Sequence, residues 1–393
     1  MRPFVCLGLL LLASPYRGSD CQTRAARGDT IAMVVRFEVA EGMHATADSL
    51  GQISGIARDR RGVVYASDMA ASKIWVFGPD GQSLPSIGRR GRGPGEFESP
   101  TGLAIAPGNF LVVRDVYNVS LFGLDRQTNR LTRFDRSFRG PPLVDWKSTR
   151  ASRFLDDGRL VYPAHSYIDR SQRSARYNIY SESGALVDSL IVPPFASSPS
   201  GVAFARLGAQ DGRILPGLNH VPFAPLPVWD VTPRGTLLLG DGVSYDVREQ
   251  DRSGTVLRSF RRSAAAAKIP VRERAESTAA LRARLDSVSV PWSQVEGVPP
   301  DVRAARLPET FPFYVAVYYD DGLVWIQRWI AGGANRTVFD VFRADGTFFT
   351  VVMLPRALAS FPTPVLTLQH VTGVGINPET GAHSVLHFVR AAP

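Results

Sequence analysis

The 393-residue chain has only two cysteines, Cys6 and Cys21. If the segment before Cys21 is removed, at most one remains, so no internal disulfide framework is available and the fold must rest on packing. The six histidines are His44, His165, His220, His370, His383 and His387. They form no His-Glu-x-x-His or other dense ligand motif. His383 and His387 share a face of a segment that reads as strand, where they stand about 13 Å apart, too far for one metal. There is no phosphate-binding loop, dinucleotide fingerprint or Gly-x-Ser-x-Gly elbow. After the N-terminus no charge-free run reaches membrane-spanning length. Lysine is scarce as well. Lys73, Lys147 and Lys268 leave 42 of the 45 basic residues (45 − 3) as arginine, within a net charge of +9. The arginines are scattered rather than interleaved with aromatics on one face, so nucleic acid is not an expected partner. Weak attraction to anionic polysaccharide or lipid headgroups is the more natural use of that charge.

The first twenty residues read as an export signal. Arg2 supplies a positive start, Phe4 to Ala13 a short apolar core, and Ser14 to Asp20 a polar exit. Cys21 offers a lipidation site, although Asp20 just before it departs from the pattern acylation requires. Both simple secretion and a lipid anchor at Cys21 stay open. Residues 21–30 then read as a flexible segment.

The most structured message lies at 88–105, Gly-Arg-Arg-Gly-Arg-Gly-Pro-Gly-Glu-Phe-Glu-Ser-Pro-Thr-Gly-Leu-Ala-Ile. Its glycines, Gly93 and Gly95 among them, permit positive φ at a tight crossing. Pro94 and Pro100 exclude helix. Phe97 is the one large apolar group and is expected to plug a seam between sheets. Before it lie four short apolar segments: Ile53–Ala57, Val63–Asp68, Lys73–Phe77 and Ser83–Ile87. After it the order repeats as Gly102–Ala106, Phe110–Asp115, Val119–Leu124 and Arg130–Phe134. Asp68 and Asp115 close the second segments 47 residues apart, a propeller-blade period. The second-segment signal recurs at Gly158–Tyr162, Gly235–Leu239 and Gly322–Ile326. Hairpin signals stand at Asp80-Gly81, Thr128-Asn129, Ser183-Gly184, Ser253-Gly254, Asp345-Gly346 and Thr380-Gly381.

This pattern resembles the bacterial six-bladed β-propellers of NHL-repeat type, many of them exported. The resemblance spans roughly residues 30 to 390 and is strongest at 51 to 125. It implies an all-β fold over residues 31–391, six four-stranded antiparallel blades, and an N-terminal strand near Met33–Val39 that joins the last blade and closes the ring. One segment departs from it. Val271, Ala275, Thr278, Leu281, Leu285 and Val288 follow helical spacing after Pro270. A helix over about 270–288 and a Pro-rich return to 312 are therefore expected between the fourth and fifth blades, as a surface brace or as a cap over one mouth.

The resemblance implies that the second strands end on the face carrying the links between blades, where propeller ligands gather. Arg114, His165, Asp241 and Arg328 are the candidate ligand residues there. Asp68 and Asp115 sit at the same level but are expected to bond backbone N–H groups, as such repeats do. Trp325 and Trp329 are expected to pack between blades. No catalytic set assembles. The expectation is an exported, monomeric binding scaffold, periplasmic or extracellular, for a protein, peptide or glycan, with no resident cofactor and with the membrane reached only through a lipid anchor. The alternative is a hydrolase or lyase with a calcium- or zinc-dependent site at the channel mouth.

Overall fold

A computed structural model describes residues 30–40, 50–93, 95–106, 110–115, 118–125, 130–139, 152–165, 175–181, 183–193, 206–207, 213–214, 222–286, 295–296, 304, 306–330 and 335–392. The export signal, Cys21, Pro94 and the Thr128-Asn129 turn lie outside the described residues.

Short strands alternate with glycine turns, and the strands of each sheet bond in chain order. The first sheet is Ile53–Arg58, Val64–Asp68, Lys73–Phe77 and Ser83–Ile87. The second is Pro100–Ala106, Phe110–Asp115, Asn118–Asp125 and Arg130–Arg139, and the third Arg153–Phe154, Leu160–His165, Ala175–Tyr180 and Leu186–Val192. The fourth is Val228–Val231, Leu237–Gly240, Asp246–Gln250 and Val256–Arg261, and the fifth Tyr314–Asp320, Leu323–Arg328, Thr337–Arg343 and Phe348–Leu354. The closing sheet takes Val365–Leu366, His370–Ile376 and His383–Arg390 from the C-terminal end and Thr30–Ala40 from the N-terminal end. Within each sheet all neighbours are antiparallel.

Alternation along the strands buries both faces of each sheet, since side chains i and i+1 point to opposite neighbours. Val64 packs toward the closing sheet and Tyr65 toward the second. The seams form a circuit. Tyr65 and Val76 meet Leu103 and Val113, Val112 meets Leu160 and Tyr162, and Val161 and Ile179 meet Leu237. Phe260 meets Phe342, Trp325 and Phe339 meet Leu366 and Phe388, and Val374 and Val385 meet Ile53 and Trp75. Phe339, Trp325 and Val352 are wholly buried, each stabilising by about 1.5–3 kcal/mol. First strands of neighbouring sheets pack on one another where Ile53–Arg58 meets Pro100–Ala106 and Val365–Leu366, and where Val228–Val231 meets Tyr314–Asp320.

The N-terminal strand does more than complete one sheet. Met33 to Ala40 pairs antiparallel with His383–Arg390, while Thr30 to Ala32 pairs parallel with Val351 to Met353 of the fifth sheet. That crossing merges the two sheets into one eight-stranded ladder. The strand's placement also reassigns the Thr380-Gly381 turn. Asp80-Gly81, Ser183-Gly184, Ser253-Gly254 and Asp345-Gly346 join third strands to fourth. Thr380-Gly381 joins a second strand to a third, because the fourth comes from the other end of the chain.

Two connections are elaborated. Arg206–Leu207 pairs with Arg213–Ile214 and with Val295–Glu296, so the third-to-fourth and fourth-to-fifth connections share a small three-stranded sheet. The helix α1 (Val271–Asp286) lies in the second of these. The expected apolar face is only partly used. Val271 is 86% exposed, while Leu281 is buried; Arg274 and Thr278, rather than Val271 and Ala275, join Leu281 on the inward side. The proline-rich return pairs back on the segment before the helix through Ile269 N–H to Glu309 O and Phe311 N–H to Ala267 O, both 2.9 Å.

Candidate functional site

The links between sheets and the ends of the second strands share one side, the connector side. The opposite, turn side carries the first-to-second and third-to-fourth hairpins. On the connector side Asp68 is fully buried. It accepts the N–H groups of Gly51 (2.7 Å), Gln52 (3.1 Å), Ala70 and Ala71 (both 3.0 Å) and the Trp75 indole (2.9 Å). Asp115 accepts Glu98 N–H at 2.8 Å and Ser99 N–H at 2.6 Å. Phe97 lies buried in the seam between the first two sheets. Gly88 (φ 84°) runs so close to its ring that a Cβ there would stand 2.3 Å from it. Gly95 is also left-handed, at φ 75°, whereas Gly93 is not; its N–H bonds Glu96 instead, at 2.8 Å. Pro100 opens the second sheet, and its carbonyl accepts the Ser54 hydroxyl. Two of the connector's three arginines, Arg89 and Arg92, pair with Glu96 and Glu98.

The four candidate ligand residues fall into different settings. Arg114 is buried in the seam of the second and third sheets, its Nε donating to Thr101 Oγ1 (3.0 Å) and Nη2 to Thr101 O (2.8 Å). Its guanidinium lies 5.8 Å from the Tyr162 ring centre. Burial lowers the Arg114 pKa and raises that of Tyr162 to about 12. Asp241 accepts Val243 N–H (2.9 Å) and Ser244 N–H (3.3 Å), holding its own turn. His165 ends the second strand of the third sheet, opposite Arg176, and its side chain lies outside the described residues. Arg328 grips Asp340, with Nε to Oδ2 at 2.7 Å. Burial would lower its pKa, but Asp340 and Tyr245 hold it above the ordinary value.

Asp340 is fully buried and is the hub of this corner. From the fourth sheet Arg262 and the Tyr245 hydroxyl also donate to it. Burial, and then the charge of Asp340, pushes the Tyr245 phenol well up. The residue after Arg328 in sequence belongs to an aromatic group. Trp329 stacks on Phe311 at 6.0 Å and 21°, and Phe223 meets Phe311 edge-on at 5.4 Å. Phe223 holds φ 61°, a strained value for a bulky residue. Phe223 and Trp329 keep part of their surface while Phe311 is buried. Trp325, by contrast, is wholly buried between sheets.

A second charged group lines the inner strands toward the turn side. Arg153 of the third sheet reaches Asp230 of the fourth at 3.2 Å and the Tyr319 carbonyl of the fifth. Asp230 also accepts Tyr319 N–H at 2.8 Å. Asp320 accepts Leu366 N–H of the closing sheet at 2.8 Å. It keeps some exposed surface although protein surrounds it. Burial raises it to about 6, against the pull of Arg153. Asp230, Asp320 and Asp340 are not among the residues expected at the site. Their sequence signal is an acid inside an apolar strand, as in Val-Trp-Asp-Val and Val-Phe-Asp-Val-Phe, where only a partnered charge is tolerated. Phe223 had no comparable signal, since its role arises from two distant connections meeting.

No family model matches the chain, and no curated protein does. Among solved structures it is similar to a Bacteroides fragilis protein described as exported, at 10% identity and TM-score 0.45, over 92% of this chain and 99% of that one. It is similar to virginiamycin B lyase from Staphylococcus aureus at 12% identity and TM-score 0.39, over 89% and 98% of the two chains. The PQQ-bound aldose sugar dehydrogenase of Streptomyces coelicolor matches at 11% identity and TM-score 0.43, over 90% and 98%. These neighbours are propeller-like β proteins.

Proposed function

We propose that the chain is an exported six-bladed propeller of NHL type that binds a protein, peptide or glycan on its connector side. The blade count is supported by the circuit of seams that returns from the closing sheet to the first. The binding reading rests on one observation. Phe223 is held at a costly φ, partly exposed, against Phe311, on which Trp329 stacks. Strain of this kind persists where surrounding structure over-determines it and clusters at ligand sites. An aromatic face of this kind suits a sugar ring or a peptide side chain.

The test is a screen of glycan and peptide arrays with the secreted protein, followed by titration of tryptophan fluorescence. Trp329→Ala is expected to remove binding of any hit while Arg92→Gln leaves it intact. Equal binding by both variants sinks the aromatic site. Elemental analysis separates the enzyme alternative: stoichiometric, tightly held calcium or zinc would overturn the binding-only view. Mass spectrometry of the mature N-terminus decides between secretion and an acylated Cys21.

A further inference from the structure

The seam between the closing sheet and the first sheet carries a cluster of cationic and imidazole groups on the turn side. Ile56 faces this seam and Ala57 the next one, so Arg58, two residues past Ile56, points into it as well. On the closing sheet Val374 and Val385 face the same seam, so His370, Thr372 and His387 do too. The His370 and His387 rings stack at 5.5 Å and 15°. His387 is buried, with Nδ1 2.8 Å from the Thr372 hydroxyl and its ring 5.1 Å from Phe37. Arg58 Nε and His370 Nδ1 are both buried and meet no hydrogen-bond partner among the described residues.

The charges that act on the two histidines are positive, while Arg58 itself, lowered by burial, also feels Asp59. Arg58 lowers the pKa of both histidines after burial does, and Arg36 of the N-terminal strand adds to the effect on His387. Asp59 follows Arg58 in sequence but belongs to the other face. Its Oδ1 takes the N–H groups of Arg61 and Val63, both at 2.9 Å, and its Oδ2 the Tyr65 hydroxyl at 3.4 Å. Two buried polar atoms beside like charges carry a desolvation cost that an anion offsets. A guanidinium Nε–H and an imidazole N–H facing one seam are donors of the kind an oxyanion accepts from.

We propose that Arg58 and His370 form a binding site for a small oxyanion, a carboxylate or phosphate group, at the turn-side end of this seam. It lies on the opposite side from the aromatic group of Trp329 and does not depend on it. Binding an anion there restores the proton affinity of His370, so affinity rises as pH falls below the ordinary histidine value.

The experiment follows the two imidazoles by proton–nitrogen correlation across pH in the full mature chain, with inorganic phosphate, acetate or chloride added at millimolar concentration. Phosphate or acetate is expected to raise the His370 titration midpoint, with chloride having little effect. A response to phosphate alone or to acetate alone names the source. Arg58→Gln is expected to weaken the effect by about tenfold or more, as loss of a charge-assisted contact does. If that variant does not fold, Arg58→Lys, which keeps the charge without the fork, should weaken it less. If water alone satisfies the two atoms, neither oxyanion moves either imidazole and the proposal fails. It fails equally if folded Arg58→Gln responds as the parent does.

Discussion

Asp68 and Asp115 make the same contact in successive sheets: each carboxylate receives the two backbone N–H groups that precede the first strand of its own sheet. A second strand thereby positions the link that enters its sheet. Asp68→Ala leaves five donors without their acceptor and is expected to cost about 3 kcal/mol, with Asp68→Asn costing less because one carbonyl oxygen remains. Urea unfolding of the two variants measures this, and a loss below that of an ordinary surface substitution would refute it.

Asp340 gathers Arg328, Arg262 and Tyr245 from two sheets. Asp340→Asn strands two guanidiniums beside a buried phenol and should cost about 3–5 kcal/mol, the usual penalty for removing one partner of a buried ionic group. Arg262→Met, at a partly exposed member, should cost far less. A double-mutant cycle should show strong coupling between the two sites; additive losses would mean the hub is not one unit.

Two groups give opposite pH responses. Asp320 is raised to about 6, chiefly by burial. Its advantage to the fold is complete below its ordinary value and is lost as pH rises toward 6. Asp320→Asn is therefore expected to stabilise the protein at neutral pH by about 1–3 kcal/mol and to do nothing at low pH. His387 is lowered to about 4, first by burial and then by Arg58, His370 and Arg36. Its contribution is complete above its ordinary value and is lost as pH falls toward 4. His387→Gln should flatten that acid limb. Denaturation curves across this range test both signs.

The N-terminal strand is the fourth member of the closing sheet, with Phe37 packed on His387 and against Gly81 of the first sheet. Removing residues 30–40 should leave His383–Arg390 as an unprotected edge. Amide exchange there is expected to rise sharply while the second-sheet strand Phe110–Asp115 stays protected. Uniform protection in the truncated chain would contradict this closure.

The first two sheets were readable because glycine turns, alternating apolar segments and a closing aspartate coincide there. Lys73–Phe77, Ser83–Ile87 and Phe110–Asp115 have the same bounds in the sequence pattern and in the structure. The helix was legible as a helix, but its inward face was not, since Arg274 bonds the Leu307 carbonyl at 3.2 Å and draws a polar side inward. Hairpin counting mixed two kinds of turn, because chain order conceals a strand donated from the far terminus. Level along the strand locates the connector side but not the partners, which depend on where Asp340, Thr101 and Phe311 fall in space.

Thr30–Ala40 is the earliest of the described strands to be made, and its partners at 351–353 and 384–390 come more than 300 residues later. Native closure therefore waits for nearly the whole chain to be synthesised, whatever order the other sheets adopt. Such a terminus-to-terminus ladder has very high contact order, so its formation is expected to be the slow step of folding. In the export proposed above, that delay would keep the chain open for passage across a membrane.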